Sequence, residues 1–254
     1  MTPDQRAEGA AERVAAYLRL VAGVEAGHAA GHDTDSRLRR IAKHAVPGSR
    51  RGTARVVVTD AVAVRERRKA AALLQQRDPL LLHLGSGTQY KDGWVNVDLA
   101  GDPVDLAWNL AKPLPLPAGS AHGVFSEHVL EHMPFEAGLG LLREARRVLR
   151  PGGIARIVVP DAGRLLASYV DGGRGFIAET RGGRPTPMTA VNELFYWYRH
   201  CWLYDAETLT LALEAAGFEQ VRQREYGVSD LPGGCPDTED RRAESLYVEA
   251  VRPA

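Results

Sequence analysis

Three short patterns in this 254-residue chain bring together residue types that chemistry uses. The first is Gly85-Ser86-Gly87, which follows an apolar run at residues 80–84. Glycines without a Cβ let backbone N–H groups approach a ligand closely. Eleven residues after Gly87, Asp98 closes a second apolar run at residues 94–97. An acid at the tip of the second strand of an open parallel sheet is where a ribose diol is held. The pair reads as a nucleoside-binding signal, with a tight turn and a solvated Asp as the plain alternative.

The second pattern is His128-Val129-Leu130-Glu131-His132. Two imidazoles at i and i+4 share a helix face and can hold zinc, with the Glu as base or ligand. That chemistry needs a longer helix and a third ligand from elsewhere. Pro134 follows within six residues of His128, so no metal is expected. The third pattern is aromatic: Phe195, Tyr196, Trp197 and Tyr198, then Arg199, His200 and Trp202. Ring faces beside a few polar groups suit sugar or ring recognition, although a helix packed into a core looks similar. The cluster follows a Gly- and Arg-rich stretch, residues 172–187, that has no periodicity; loops of that length are functional or disordered. Substrate contact is therefore the preferred reading.

These patterns need a scaffold to position them. Residues 80–84 read as a strand buried on both faces. A dinucleotide fingerprint wants a third glycine where Tyr90 stands, and an acid about 20 residues on. Both departures weaken a dehydrogenase reading. Residues 88–93 can hold at most a stunted helical turn, since a parallel crossover needs about a dozen residues. Residues 103–108 read as a third strand, and the proline-rich 112–117 as a stiff connector. Residues 123–125 form a fourth strand. Residues 135–150 form an amphipathic helix stopped by Pro151-Gly152-Gly153, and 154–159 a fifth strand ending at Asp161. Asp161 lies on the ligand-binding edge and can equally cap the helix of residues 162–170. A further helix spans 206–216, and residues 218–224 and 246–251 alternate as a last, hairpin-like pair.

Together HLGSG, NVDL, SEHVLEH, LREARRVLRPGGIARIVVPD, RHCWLYDAETLTLALEAAGF and ESLYVEA resemble the class I S-adenosylmethionine-dependent methyltransferases. The match is to the branch related to methyltransferase type 11, often met among glycan-modifying enzymes, and covers residues 80–251. The resemblance implies an α/β, Rossmann-like, mostly parallel seven-stranded sheet with an antiparallel last strand and helices on both faces. It implies S-adenosyl-L-methionine as cofactor, held by His83, Gly85, Ser86, Gly87, Asp98, Leu99, Asn109, Leu110, Ser126 and Glu127. Asn109 stands where Asp is common; its carbonyl can still accept from the adenine amino group. His83 and His122 also replace usual acids. Tyr90, Trp197, Arg199 and Trp202 fall on the acceptor side. A hydroxyl acceptor needs a general base, for which His128 comes first, then His200 and Asp161. The expected reaction is O-methylation of a sugar-containing or other polar small molecule. Methylation of an aromatic or polyketide-type metabolite, or a non-catalytic cofactor-binding subunit, are the alternatives.

Residues 1–77 show helical periodicity and read as an extension to the catalytic domain at 78–254. Stripes at Val14, Leu18, Val21 and Ala22, and at Leu38, Ile41, Ala42 and Ala45, need a partner surface. That surface is either the catalytic domain or, through a homo-oligomer, a second subunit. A third helical segment is expected over residues 62–76. The basic cluster from Arg37 to Arg51 reads as a solvated face. The chain carries no net charge, which gives no field for nucleic acid, and no run long enough to span a membrane. Two cysteines are too few for a disulfide framework, so a cytoplasmic protein is expected.

Overall fold

The computed structural model describes residues 51–100 and 103–254, with four helical positions nearer the start, Glu12, Ala15, Ala16 and Arg19. The two N-terminal stripes, nearly all of the basic cluster and the oligomer expectation lie outside the described residues. The elements run α1 (Arg51–Gln76), β1 (Leu81–Leu84), β2 (Val95–Asp98), β3 (Leu106–Ala107), β4 (Ala121–Glu127), α2 (Phe135–Val148) and β5 (Leu149–Pro160). They continue α3 (Ala162–Val170), α4 (Phe176–Thr180), α5 (Pro187–Asn192), α6 (Ala206–Ala215), β6 (Glu219–Arg224) and β7 (Ser245–Val251). Two units emerge: a larger one of residues 36–162 with 200–254, and a smaller one of residues 1–35 with 163–199.

The larger unit is a seven-stranded sheet in the order β3-β2-β1-β4-β5-β7-β6. The first five strands pair in parallel, and β7 enters antiparallel between β5 and β6. The mostly parallel sheet with its antiparallel last strand is thus as expected. Because side chains alternate along a strand, each strand divides its residues between two faces. Leu82, Leu84, Val95, Val97, Val124, Ala155, Ile157, Val159, Leu246 and Val248 line one face, against which α1, α2 and α6 contribute Ala70, Leu141, Leu142, Leu209 and Leu213. Burying each such Leu or Ile contributes roughly 1.5–3 kcal/mol.

The second face of this unit is different in kind. It carries Leu81, Trp94, Phe125, Val158 and Tyr247 as a small apolar cluster, together with buried Asn96, Glu127, Arg156 and Glu249. The polar excursion between β6 and β7 lies over it: Leu231 joins the cluster, and Asp237 pairs with Arg156 at 2.6 Å. Arg156 also reaches Glu249 at 3.0 Å and the carbonyls of Glu225 and Val228. One guanidinium therefore ties β5 and β7 to the covering loop, at its start through Glu225 and Val228 and further along through Asp237.

Helix α1 starts eleven residues before the expected segment and runs unbroken through Val56-Val57-Val58. β-Branched runs are weak helix formers, and tertiary contacts decide the matter. Arg55 donates to the carbonyls of Leu99 and Ala100, Thr59 accepts from Ala100 N–H, and Glu66 accepts from Ala107 N–H. The β1–β2 connection contains no helix. The buried Asn96 amide binds Lys91 N–H and carbonyl, the Trp94 carbonyl and Asp105, and so braces the loop from within.

In the smaller unit the Gly/Arg-rich stretch is folded. Buried Glu193 accepts from Arg184 at 3.1 Å through both oxygens and lies 3.6 Å from Arg181. Arg164 stacks over Phe176, Thr186 caps α5 by accepting from Thr189 N–H, and residues 193–197 form a single π-turn. The sequence shows these arginines as loop residues because their shared partner lies nine or more positions away.

Candidate functional site

The turn after β1 is shaped by two glycines in the left-handed region, Gly85 at φ +76° and Gly87 at +51°. A Cβ on Gly85 would sit 2.2 Å from Val129 Cγ2, so only glycine lets the β4 end approach. Beside Gly87 there is open space. The N–H groups of Gly85 and Ser86 both bond to the Val97 carbonyl, and Gly87 N–H donates to Asp98 Oδ2 at 2.8 Å. Asp98 Oδ1 accepts from Leu99 N–H at 2.5 Å and pairs with Arg55 at 3.4 Å. The acid is thus held between the glycine turn and a cation from α1.

The β4 end adjoins this turn, with Leu84 registered against Ser126. The hydroxyls of Ser86 and Ser126 are buried and bond to no protein atom. Orphaned buried hydroxyls are rare unless a ligand or water meets them. Two of them, beside an open glycine and an oriented carboxylate, fit a nucleoside-bearing cofactor. Glu127 turns to the second face, where Thr238 N–H and hydroxyl occupy its two oxygens at 3.1 and 2.5 Å. His83 also faces that way. It is buried, lies 5.0 Å from the Phe125 ring, and contacts Asn96 Oδ1 at 3.0 Å. Because that oxygen already accepts from Lys91 N–H, we assign the donor role to His83 Nδ1. Burial lowers its pKa to about 4. Asn109 accepts from Ala111 N–H within its own turn, and Leu110 next to it is half-buried.

His128 follows β4 directly and sits at φ +54°, a region that non-glycine residues avoid. Its Nε2 lies 2.8 Å from Ser245 Oγ and its Nδ1 3.6 Å from Glu131 Oε1. Residues 130–132 form a short 3-10 turn, not the α-helix that an i, i+4 pair requires. Glu131 is fully buried; desolvation raises its pKa to about 8, and neither oxygen has a hydrogen-bond partner. The Glu131 carbonyl accepts from Cys201 N–H at 2.6 Å and Trp202 N–H at 3.1 Å. This brings His200 against His132, ring centroids 4.8 Å apart, and Trp202 against Phe135 at 5.1 Å.

The chain then runs through Tyr204, which bridges to Asp161. Asp161 N–H bonds to the Glu244 carbonyl, next to the Ser245 that His128 contacts. His128, His200 and Asp161 are therefore gathered at the C-terminal ends of β4 and β5. Tyr90 is half-exposed on the β1–β2 loop with its hydroxyl on Asp105 at 2.8 Å. Arg199 and the backbone of Trp197 belong to the smaller unit, and the Trp197 side chain is outside the described residues. Arg55, Thr238 and Ser245 are absent from the sequence reading. Each lies 43 to 117 positions from its partner, and no local pattern marks it.

A family model described as "Methyltransferase domain" matches residues 18–223. No curated protein matches the sequence. Among solved structures, a methyltransferase from Thermotoga maritima shares 17% identity, with 77% of this chain and 91% of that one covered at a TM-score of 0.43. One from Archaeoglobus fulgidus shares 15%, covering 78% and 94% at 0.43. Human N-acetylserotonin methyltransferase in complex with S-adenosylmethionine shares 15%, covering 78% and 54% at 0.46. The family match spans well over half of the chain. Together with the sheet order, it means that the chain belongs to the methyltransferase-domain family and is an S-adenosylmethionine-dependent methyltransferase.

Proposed function

We propose that the enzyme methylates a hydroxyl of a sugar-containing or otherwise polar small molecule in the cytoplasm, with His128 as general base. The observation that carries this reading is the backbone of His128, held at φ +54° at the tip of β4. Left-handed non-glycine residues persist where the surroundings over-determine them, and they cluster at functional sites. Here hydrogen bonding to Ser245 Oγ and proximity to Glu131 fix the imidazole.

The bound cofactor supplies a methyl group on a positively charged sulfonium. Asp98 and the Gly85–Gly87 turn would hold its ribose, and the unpartnered hydroxyls of Ser86 and Ser126 would be open to its polar atoms. With a hydroxyl acceptor, His128 Nε2 would take the hydroxyl proton in place of its contact with Ser245, as the oxygen gains the methyl and the sulfur keeps the electron pair of the broken S–CH3 bond and leaves as the neutral thioether. Glu131 Oε1 stands 3.6 Å from the far nitrogen and restricts how the ring can turn. Trp202, 42% exposed and backed by Phe135, offers a ring face of the kind sugars stack on. Among the described residues no helix is long and apolar enough to cross a membrane.

A panel of sugar, aromatic and amine acceptors, screened for the mass gain of one methyl group, tests the substrate class. On the acceptor found, His128→Ala should lower turnover by about 10²–10⁴ with cofactor affinity nearly unchanged. Normal turnover by His128→Ala would refute the assignment of the base.

A further inference from the structure

We propose that Glu131, His132 and His200 form a site for one divalent ion of borderline softness, zinc in the first instance. One ligand atom from each of the three lies within 4.8 Å of the others. Ligand atoms of a tetrahedral zinc site, with bonds of about 2.0–2.2 Å, stand roughly 3.3 Å apart. Modest side-chain rotation closes that gap. Two imidazoles and a carboxylate suit zinc and its first-row neighbours; magnesium and calcium prefer all-oxygen shells. Three protein ligands leave a fourth position open to water.

A second observation is independent of this spacing. Glu131 is 0% exposed, and neither carboxylate oxygen is hydrogen-bonded. A buried carboxylate is ordinarily hydrogen-bonded, ion-paired or coordinating a metal. His128 Nδ1 faces Oε1 from 3.6 Å, which leaves the other oxygen for an ion. The frame around the trio is fixed: the Glu131 carbonyl receives two N–H groups from residues 201 and 202, which holds His200 beside His132.

The trio differs from the one suggested by the His128–His132 pattern. The 3-10 turn keeps His128 and His132 off a shared helix face, and the missing ligand comes from His200, 68 positions on from His132. The expectation of no metal rested on Pro134 shortening a helix, and the tertiary contact makes that helix unnecessary. Such a site would stand whatever the acceptor is and whichever residue is the base. If His200 is a ligand, it is unavailable as a base.

The test uses the full chain without a polyhistidine tag, stripped by chelator and titrated with cobalt(II) as a spectroscopic stand-in. One equivalent should bind with visible d–d absorption of a four- or five-coordinate site, and one equivalent of zinc should displace it. His132→Ala, at an exposed position, and His200→Ala should each weaken cobalt binding about 100-fold or more. His122→Ala, at the opposite end of β4, should leave it unchanged. No saturable binding, or binding that survives His132→Ala, overturns the proposal. If His200→Ala does not fold, His132→Ala decides.

Discussion

At the scale of single residues, the two glycines of the cofactor turn separate conformation from space. Both have positive φ, so an added Cβ costs about 1–2 kcal/mol at either. At Gly85 the new atom also meets Val129 at 2.2 Å, and overpacking adds roughly 1–3 kcal/mol. Gly85→Ala should therefore lower the melting temperature more than Gly87→Ala and abolish cofactor binding by calorimetry. Equal losses in the two variants would contradict the close approach. His83 gives a pH signature. Its folded pKa of about 4 lies below the unfolded value of 6.5, so the unfolded chain binds the proton more readily. The contribution is fully present above pH 6.5 and is lost as pH falls toward 4, a span worth about 3 kcal/mol. In denaturant titrations across that window, His83→Gln should show a shallower loss of stability than the wild type. Parallel curves would mean that His83 is not the buried neutral group described.

At the scale of elements, the long helices of the larger unit contribute to one face of the sheet, and a loop lies over the other. That loop is held by charge pairing more than by apolar burial, with Arg156 at the centre. A buried pair adds little net stability over an apolar isostere, but removing one member leaves the partners' charges stranded. Arg156→Met strands Asp237 and Glu249 and should cost about 3–5 kcal/mol. Amide exchange should quicken first in residues 225–244, where its backbone partners Glu225 and Val228 lie. Uniform quickening across the sheet would place the weak point elsewhere.

At the scale of the molecule, a ligand that binds only the folded chain stabilises it by mass action, about 2.7 kcal/mol at a hundred times its Kd. S-adenosylmethionine and its demethylated product should both raise the melting temperature in proportion to the logarithm of concentration. NAD should not, because the turn lacks the third glycine of a dinucleotide site. Stabilisation by NAD at lower concentration than by S-adenosylmethionine would reverse the cofactor assignment.

The sequence by itself determined the sheet, the glycine turn and the acid, because these are local: apolar runs, missing Cβ atoms and a short spacing act within a dozen residues. It also marked His128, Glu131 and His132 as a chemical cluster, though with the wrong geometry for the turn they occupy. Tertiary structure alone decided what each polar group meets. Arg55 on Asp98, Ser245 on His128, Thr238 on Glu127 and His200 beside His132 are contacts between segments 43 to 117 positions apart. No periodicity encodes such pairings, because they follow from sheet order and from a loop folding back over a face. The Gly/Arg stretch shows the same limit, since its arginines look solvated until buried Glu193 gathers them. Hydrophobic pattern specifies which elements form, and the burial of charge then selects partners that only the assembled fold brings within reach.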